Sequence, residues 1–292
     1  MYSPTILERK KRSFGISPPW TRTYGFCTMF PTSSHKRTIL PYLIKYTPKE
    51  AYKRSPGKVN ICAFDLDHTI IKPKDSTSRF GKSADDWKFM SFREGATTLD
   101  KLISIVTEDE DAQIVIFSNQ GGVVSVPPTS KSCVKLTSKV ESILKYIGTK
   151  ESGDKLLGRL WFYFSTKKPA SLFSRKNSRT KNSGTFKNGG KLTGNYFKEV
   201  PRPNTTTGLP SEKSVNLSQQ FDDMRKPNTG MHSEFIKDLT SLASIDEGDI
   251  SWVYYCGDAA GRPSDFSDSD RVFAEKLDIP FKLPEDIFGA SS

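Results

Sequence analysis

Apolar runs of five to nine residues alternate along this chain with amphipathic stretches of helical period. Residues 59–66 form a β-prone run that ends in Asp65-Leu66-Asp67-His68-Thr69. Leu99, Leu102, Ile103 and Val106 then share one face of a helix capped by Thr97 or Thr98. Residues 113–117 (QIVIF) read as a short buried strand, and 130–147 as a helix whose stripe is Val140, Ile143, Leu144 and Ile147. Residues 160–165 (LWFYFS) read as a third strand. Further on, Phe235, Leu239 and Leu242 mark a helix, 252–256 a fourth strand, 268–277 a last helix and 280–281 a closing segment. Residues 38–46 (TILPYLIKY) read as one strand-like segment leading into the core. Strands alternating with helices predict an α/β fold, a Rossmann-like parallel sheet with helices on both faces.

The polar stretches divide the chain. Residues 72–91 suit a loop that frames a site, with Trp87 and Phe89 as anchors. Residues 170–220 are rich in Ser, Asn, Thr, Gly, Pro and Lys and offer too little apolar surface to offset their ordering entropy. They read as a basic low-complexity insertion, mostly disordered, and 1–34 as a disordered basic arm containing Arg9-Lys10-Lys11-Arg12. The expected folded domain is therefore 35–169 with 221–292, and order returns at Asp222.

Charge sharpens that division. Of the net +11, residues 1–48 carry +7 and 165–213 carry +9, so the remainder carries −5. Basic blocks of this kind are solvated arms, polyanion-binding segments, or both. A hydrophobic share of 35 % over 292 residues agrees with part of the chain lying outside a core. The four cysteines (Cys27, Cys62, Cys133, Cys256) form no C-x-x-C pair, and with three scattered histidines no zinc site is expected. Cys62 and Cys256 fall in apolar runs and read as reduced core residues of an intracellular protein. No apolar run approaches the roughly 18 residues of a membrane span, and the start does not read as a secretory signal.

Candidate chemistry lies at the strand ends. Asp65 and Asp67 are separated by one residue, so in a strand they point to the same face. Two carboxylates so close repel unless a cation sits between them or one holds a proton. That allows a hard-cation site or a nucleophile beside a general acid. A bare D-x-D is equally a strand ending in a polar turn capped by Asp67 and Thr69. The second strand ends at Ser118-Asn119-Gln120-Gly121-Gly122, whose hydroxyl and free N–H groups suit phosphate oxygens. The fourth ends at Gly257-Asp258, and Lys226 stands at the start of a helix, where a cation can neutralise the same phosphate. Taken singly these are turns and a surface lysine; in order, beyond the carboxyl ends of a parallel sheet, they form one site.

This order resembles the haloacid-dehalogenase superfamily of Mg2+-dependent phosphotransferases. Within it, FSNQGG (117–122), RKPNTGM (225–231) and YYCGDAAGR…DFSDSD (254–270) resemble the polynucleotide 3′-phosphatase family, which includes the phosphatase half of polynucleotide kinase/3′-phosphatases. The resemblance covers about 38–288 without most of 170–220. It implies a haloacid-dehalogenase-like sheet with a minimal cap domain or none. It also implies that Asp65 attacks phosphorus in line to form an aspartyl-phosphate. Asp67 then protonates the leaving 3′-oxygen and later activates the hydrolytic water. Mg2+ is implied at the Asp65 carboxylate, the Asp67 main-chain carbonyl and Asp258. Ser118, the Asn119 main chain and Lys226 are implied to hold the phosphoryl oxygens. Arg262, with Asp265 or Asp270, is implied to brace the loop behind them. His68 departs from the superfamily pattern, which has glycine there, and so bears on the local backbone geometry.

The expected activity is Mg2+-dependent removal of 3′-phosphate from DNA ends at single- or double-strand breaks, an end-processing step of DNA repair. A small-molecule phosphatase of the same superfamily (histidinol-phosphate-like) would share the core residues, but the basic appendages and the lack of a clear cap domain favour a large polyanion. GDAAGR fits a protein phosphatase poorly, and a non-catalytic nucleic-acid-binding protein would not need the intact nucleophile. A 5′-kinase half is not expected: the pattern G-x-x-x-x-G-K-[ST] fails at Thr185 and Leu192, and few residues follow the Asp258 segment. Binding to DNA is expected to rest on phosphate contacts and to weaken steeply with salt. A monomer is expected, in the nucleus, with a mitochondrial fraction as the alternative given the acid-poor N-terminus.

Overall fold

In chain order the strands are β1 (His35–Ile39), β2 (Leu43–Pro48), β3 (Val59–Phe64), β4 (Ile71–Lys72), β5 (Lys88–Phe89), β6 (Ala112–Asn119), β7 (Leu160–Ser165), β8 (Ile250–Cys256) and β9 (Phe281–Lys282). The helices are α1 (Thr98–Glu108), α2 (Lys131–Ile147), α3 (Gly153–Leu157), α4 (Glu212–Met224), α5 (Gly230–Ala243), α6 (Ser269–Lys276) and α7 (Pro284–Phe288). The structure is a computed structural model and describes residues 34–50, 58–75, 77–170, 212–243 and 245–289, all within one compact unit. The expected basic arm and the greater part of the expected insertion lie outside the described residues.

The apolar runs of the sequence are the central strands of a seven-stranded sheet ordered β1-β2-β7-β6-β3-β8-β9. β7, β6, β3, β8 and β9 are mutually parallel. Their side chains alternate between two cores. Cys62, Phe64, Ile114, Ile116, Phe162 and Phe164 face one; Ile61, Ala63, Val115, Phe117, Trp161 and Tyr163 face the other. Both faces are buried, which is why these strands read as continuous apolar runs rather than as alternating ones. The first core is closed by α1, α2, α3 and α7, the second by α5 and α6. The expected α/β class, with a mostly parallel sheet covered on both faces, is the observed one.

Three expectations change. Residues 38–46 are not one segment: β1 and β2 form an antiparallel hairpin on the β7 edge, because Pro41 has no N–H to continue a ladder. The Pro41 carbonyl instead accepts from Ser125 Oγ at 2.5 Å and Thr166 Oγ1 at 2.6 Å. The stretch 212–220, read as part of the insertion, belongs to α4. Leu242 is 49 % exposed: the buried stripe of α5 runs through Met231, Phe235 and Leu239, and Ile245 beyond the helix takes the next buried place.

The helix starts follow their local chemistry. At α1, Asp100 Oδ2 accepts from both the Thr97 N–H and Oγ1–H at 2.7 Å, a reciprocal cap. At α2, Ser130 Oγ accepts from the Cys133 N–H at 3.2 Å. The loop between β4 and β5 is anchored as expected. Trp87 packs edge-on against Phe89 and Tyr146, and its Nε1–H donates to Ser142 Oγ at 2.8 Å. Among the described residues no helix is long and apolar enough to cross a membrane.

Phe235 is fully buried and meets the rings of Phe117, Trp161, Tyr163 and Trp252 at 5.7–6.0 Å. Phe235→Ala is therefore expected to cost about 3–5 kcal/mol, lowering the melting temperature by roughly 6–20 °C; calorimetry or circular dichroism melts check it.

Candidate active site

The carboxyl ends of β3, β6 and β8 meet at one edge of the sheet, where open parallel sheets bind ligands. A cleft of about 800 Å3 opens there, lined among others by Asp65, Asp67, Ser118, Lys226, Asp258 and Asp270. The expected residues thus converge, although they span most of the folded chain.

Asp65 directly follows β3, and its N–H donates to the Cys256 carbonyl at 2.9 Å, so it continues the sheet towards β8. The next turn is tight: the N–H groups of Ile70 and Ile71 both reach the Leu66 carbonyl at 3.0 Å, and His68 N–H reaches the Ile71 carbonyl at 2.7 Å. His68 takes φ +65°, the left-handed region open to glycine. The departure from the glycine pattern therefore keeps the turn, at a strain of about 1–2 kcal/mol. Its Nε2 lies 2.8 Å from the Arg79 carbonyl oxygen. Thr69, fully buried, accepts the Asp258 N–H at 3.1 Å and so ties the β3 loop to the β8 loop.

Lys226 lies in the turn before α5, four residues short of that helix rather than at its start. Its placement depends on Asn119. That side chain accepts from the Lys226 N–H at 2.9 Å and from Ser165 Oγ–H at 2.9 Å, and donates to the Lys226 carbonyl at 3.0 Å. Asn119 is thus a strut that clamps the Lys226 main chain to β6 and β7. Lys226 is only 3 % exposed, and its ammonium donates to Asp65 Oδ1, Asp270 Oδ1 and Tyr255 Oη, each at 2.7 Å.

Asp270 is more central than its expected bracing role. Its carboxylate is 2 % exposed, takes Lys226 and the Tyr255 hydroxyl (3.1 Å) on Oδ1, and takes the Ala259 N–H (3.0 Å) on Oδ2. Asp265 does brace the loop: it pairs with Arg262 at 2.9 Å and accepts the N–H groups of Ala260 and Arg262. Tyr255, Gln120 and Lys139 were not singled out from the sequence. Tyr255 carried one signal, a hydroxyl inside a buried strand, where a partner is obligatory. Gln120 Nε2–H donates to Asp67 Oδ2 at 2.8 Å and to Ser118 Oγ at 3.0 Å.

Asp65, Asp258 and Asp270 bring carboxylate oxygens within 4.8 Å of one another. Burial pushes the Asp65 carboxyl well above its ordinary range; Lys226 opposes this, and the Asp270 and Asp258 charges add to it. Burial, then Asp270, pushes Asp258 up to about 6. Burial works against the Lys226 ammonium, but Asp270 and Asp65 outweigh it and hold its pKa above the usual lysine value. One ammonium cannot balance three carboxylates, so the cluster keeps a proton until another cation arrives. Asp67 stands apart: its carboxylate is directed to Gln120 and to the Lys139 ammonium at 3.6 Å.

The model of the polynucleotide kinase 3 phosphatase family matches residues 60–288, which include every residue of this cluster. The chain belongs to this family. It is 45 % identical over 261 residues to the polynucleotide 3′-phosphatase of Saccharomyces cerevisiae, covering 87 % of this chain and 99 % of that protein. The polynucleotide 3′-phosphatase of Saccharomyces mikatae is 43 % identical over 260 residues, covering 87 % and 96 %. The bifunctional polynucleotide phosphatase/kinase of Schizosaccharomyces pombe is 27 % identical over 247 residues, covering 85 % of this chain and 40 % of that one.

For this phosphatase family member, Gly257 supplies a test of the cluster. A β-carbon there would stand 2.5 Å from Asp270 Cγ, inside contact distance of a buried side chain. Gly257→Ala should lose about 1–3 kcal/mol of stability and slow phosphate monoester hydrolysis by about 100-fold through displacement of Asp270 and Lys226. Melting curves and steady-state rates measured together check this, and full activity in a destabilised variant would refute the positioning role.

Proposed function

We propose that this chain is a Mg2+-dependent phosphatase that removes 3′-phosphate from DNA ends through an aspartyl-phosphate on Asp65. The observation that carries the reading is the contrast between the two aspartates of the D-x-D turn. Asp65 is buried in the carboxylate cluster with Oδ1 held by Lys226, whereas the Asp67 carboxylate lies outside it, on Gln120. Asp65 Oδ2 receives no hydrogen bond from a described residue and is the attacking atom. Its bond to phosphorus forms as the bond to the 3′-oxygen breaks, and Asp67 gives its proton to that oxygen. Asp67 then takes a proton from water, whose oxygen displaces the Asp65 carboxylate from phosphorus. Ser118 and the Asn119 main chain hold the phosphoryl oxygens during both displacements, and the Lys226 charge beside Asp65 neutralises them.

The donor set fits Mg2+: it is all oxygen, and the Asp258 carboxylate accepts no hydrogen bond from another described residue. Asp65, Asp258 and the Asp67 main-chain carbonyl would hold the ion. When bound, it neutralises charge that otherwise repels nucleophile from phosphate. Asp270 has both oxygens engaged and positions Lys226.

A polymer end as substrate agrees with the open cleft, where Phe80 and Phe266 are 65 % and 77 % exposed, and with the names of the two yeast relatives. We propose further that it acts as a monomer without 5′-kinase activity, in the nucleus in strand-break repair, through a phosphatase domain that joins 35–169 to α4 and the residues after it.

Phosphate release from a 3′-phosphorylated oligonucleotide is expected with Mg2+ and is abolished by EDTA or by Asp65→Asn, while a 5′-phosphorylated oligonucleotide is left intact. Turnover of a small phosphate ester alone would sink the substrate assignment, and ATP-dependent labelling of a 5′-hydroxyl would sink the absence of kinase. Because Asp258 sits near 6 without a cation, Mg2+ must displace its proton at lower pH. Asp65 is raised as well, so affinity should weaken as the pH falls towards and below 6, by up to about tenfold per pH unit for each proton displaced. Calorimetric titration with Mg2+ between pH 5 and 8 reads this directly.

A further inference from the structure

Helix α2 carries two lysines into the cleft that the transfer of the terminal phosphate does not use. Lys135 and Lys139 stand one turn apart on the same helix face, and both line the cleft with Arg225. Lys139 is only 8 % exposed, its ammonium lies 3.6 Å from Asp67 Oδ1, and it donates no hydrogen bond to a described residue. At that distance the ion pair is longer than a hydrogen bond and leaves the ammonium donors open to the cleft. Lys135 uses one donor, on the Gly81 carbonyl at 2.6 Å. The Arg225 guanidinium lies over Gly121, 3.1 Å from where a β-carbon would stand, and donates to no described residue. Any side chain at position 121 would press on it.

The cation for the transferred phosphate is Lys226, which is already paired with the nucleophile. By contrast, 266–270 bring two aspartates and no cation to the cleft. Arg79 also lines the cleft but stacks its guanidinium over the Phe266 ring at 4.7 Å, whereas Lys139 places its charge beside the Asp67 carboxylate, next to where the leaving 3′-oxygen must lie on the reading above. A nucleotide attached through that oxygen presents one further anion at close range, the phosphodiester joining it to the preceding nucleotide.

Resting on that reading, we propose that Lys135, Lys139 and Arg225 form a second anion subsite that takes the internucleotide phosphodiester adjacent to the 3′-terminal phosphate. Binding there is remote from the reacting bond and separates a polynucleotide end from a free nucleoside 3′-phosphate.

The full chain is tested on thymidine 3′-phosphate, on 3′-phosphorylated dithymidine, and on the same dinucleotide with a neutral methylphosphonate linkage. The expected kcat/KM for the charged dinucleotide exceeds the other two by about 10-fold or more, as a charge-assisted contact allows. In Lys135→Met and in Lys139→Met the gap between charged and neutral linkages should close to within about twofold, with a shallower salt dependence. Equal rates for charged and neutral linkages in the unsubstituted protein would overturn the subsite and leave the 3′-phosphatase reading standing. An equal loss on all three substrates in Lys139→Met would show that it acts through Asp67, which also overturns the subsite. Turnover of p-nitrophenyl phosphate with none of the three nucleotides would remove both. The linkage comparison uses the unsubstituted protein, so it stands even if a variant fails to fold.

Discussion

The site depends on one buried ammonium shared between two carboxylates. Lys226 spans Asp65 and Asp270 at 2.7 Å each, with the Tyr255 hydroxyl as its third partner, and all four groups are buried. Such a cluster is a poor source of stability, because removing these charges from water consumes much of what their attraction returns. Its value is positional: it fixes one oxygen of the Asp65 carboxylate and leaves the other to the cleft. The excess of acid over base also makes the arrangement incomplete until a cation or a proton joins it.

Much of the surrounding structure holds that lysine. Asn119 binds both main-chain polar groups of Lys226, Ser165 on β7 holds Asn119, and the Ala259 N–H together with the close approach of Gly257 fixes Asp270. Thr69 joins the first loop to the last. Each strut leaves a different strand end, so the parallel register of β7, β6, β3 and β8 sets the geometry of the charges. A shift of one strand would separate Lys226 from Asp65, and for that reason the two cores above and below the sheet bear on the chemistry.

The central strands and flanking helices were legible because strands buried on both faces and amphipathic helices leave strong local patterns. Asp65, Asp67, Ser118, Lys226 and Asp258 were legible because each stands in a short segment at an element's end and because the segments together resemble a known family. The β1–β2 hairpin was not, since Pro41 splits a run whose apolar content is continuous. Asp270 was underweighted because Asp265, Asp268 and Asp270 look alike in sequence; burial and the approach to Gly257 distinguish them. The side-chain role of Asn119 was hidden for another reason. A residue that clamps a loop more than a hundred positions away has no local signature, and the contact exists only once β6 and the turn before α5 are side by side.

Contacts from distant elements also make Asp65 and Asp67 differ in character. A strand would aim both at one point, and the sequence alone leaves open whether a cation or a proton relieves their repulsion. The structure separates them instead. The left-handed His68 follows directly and turns the chain, Asp65 stays with the sheet and the buried charges, and Asp67 leans towards Gln120 and the helix α2 lysine. Once two carboxylates face different neighbours, they can differ in proton affinity while sharing a substrate, the condition under which one attacks and the other exchanges protons.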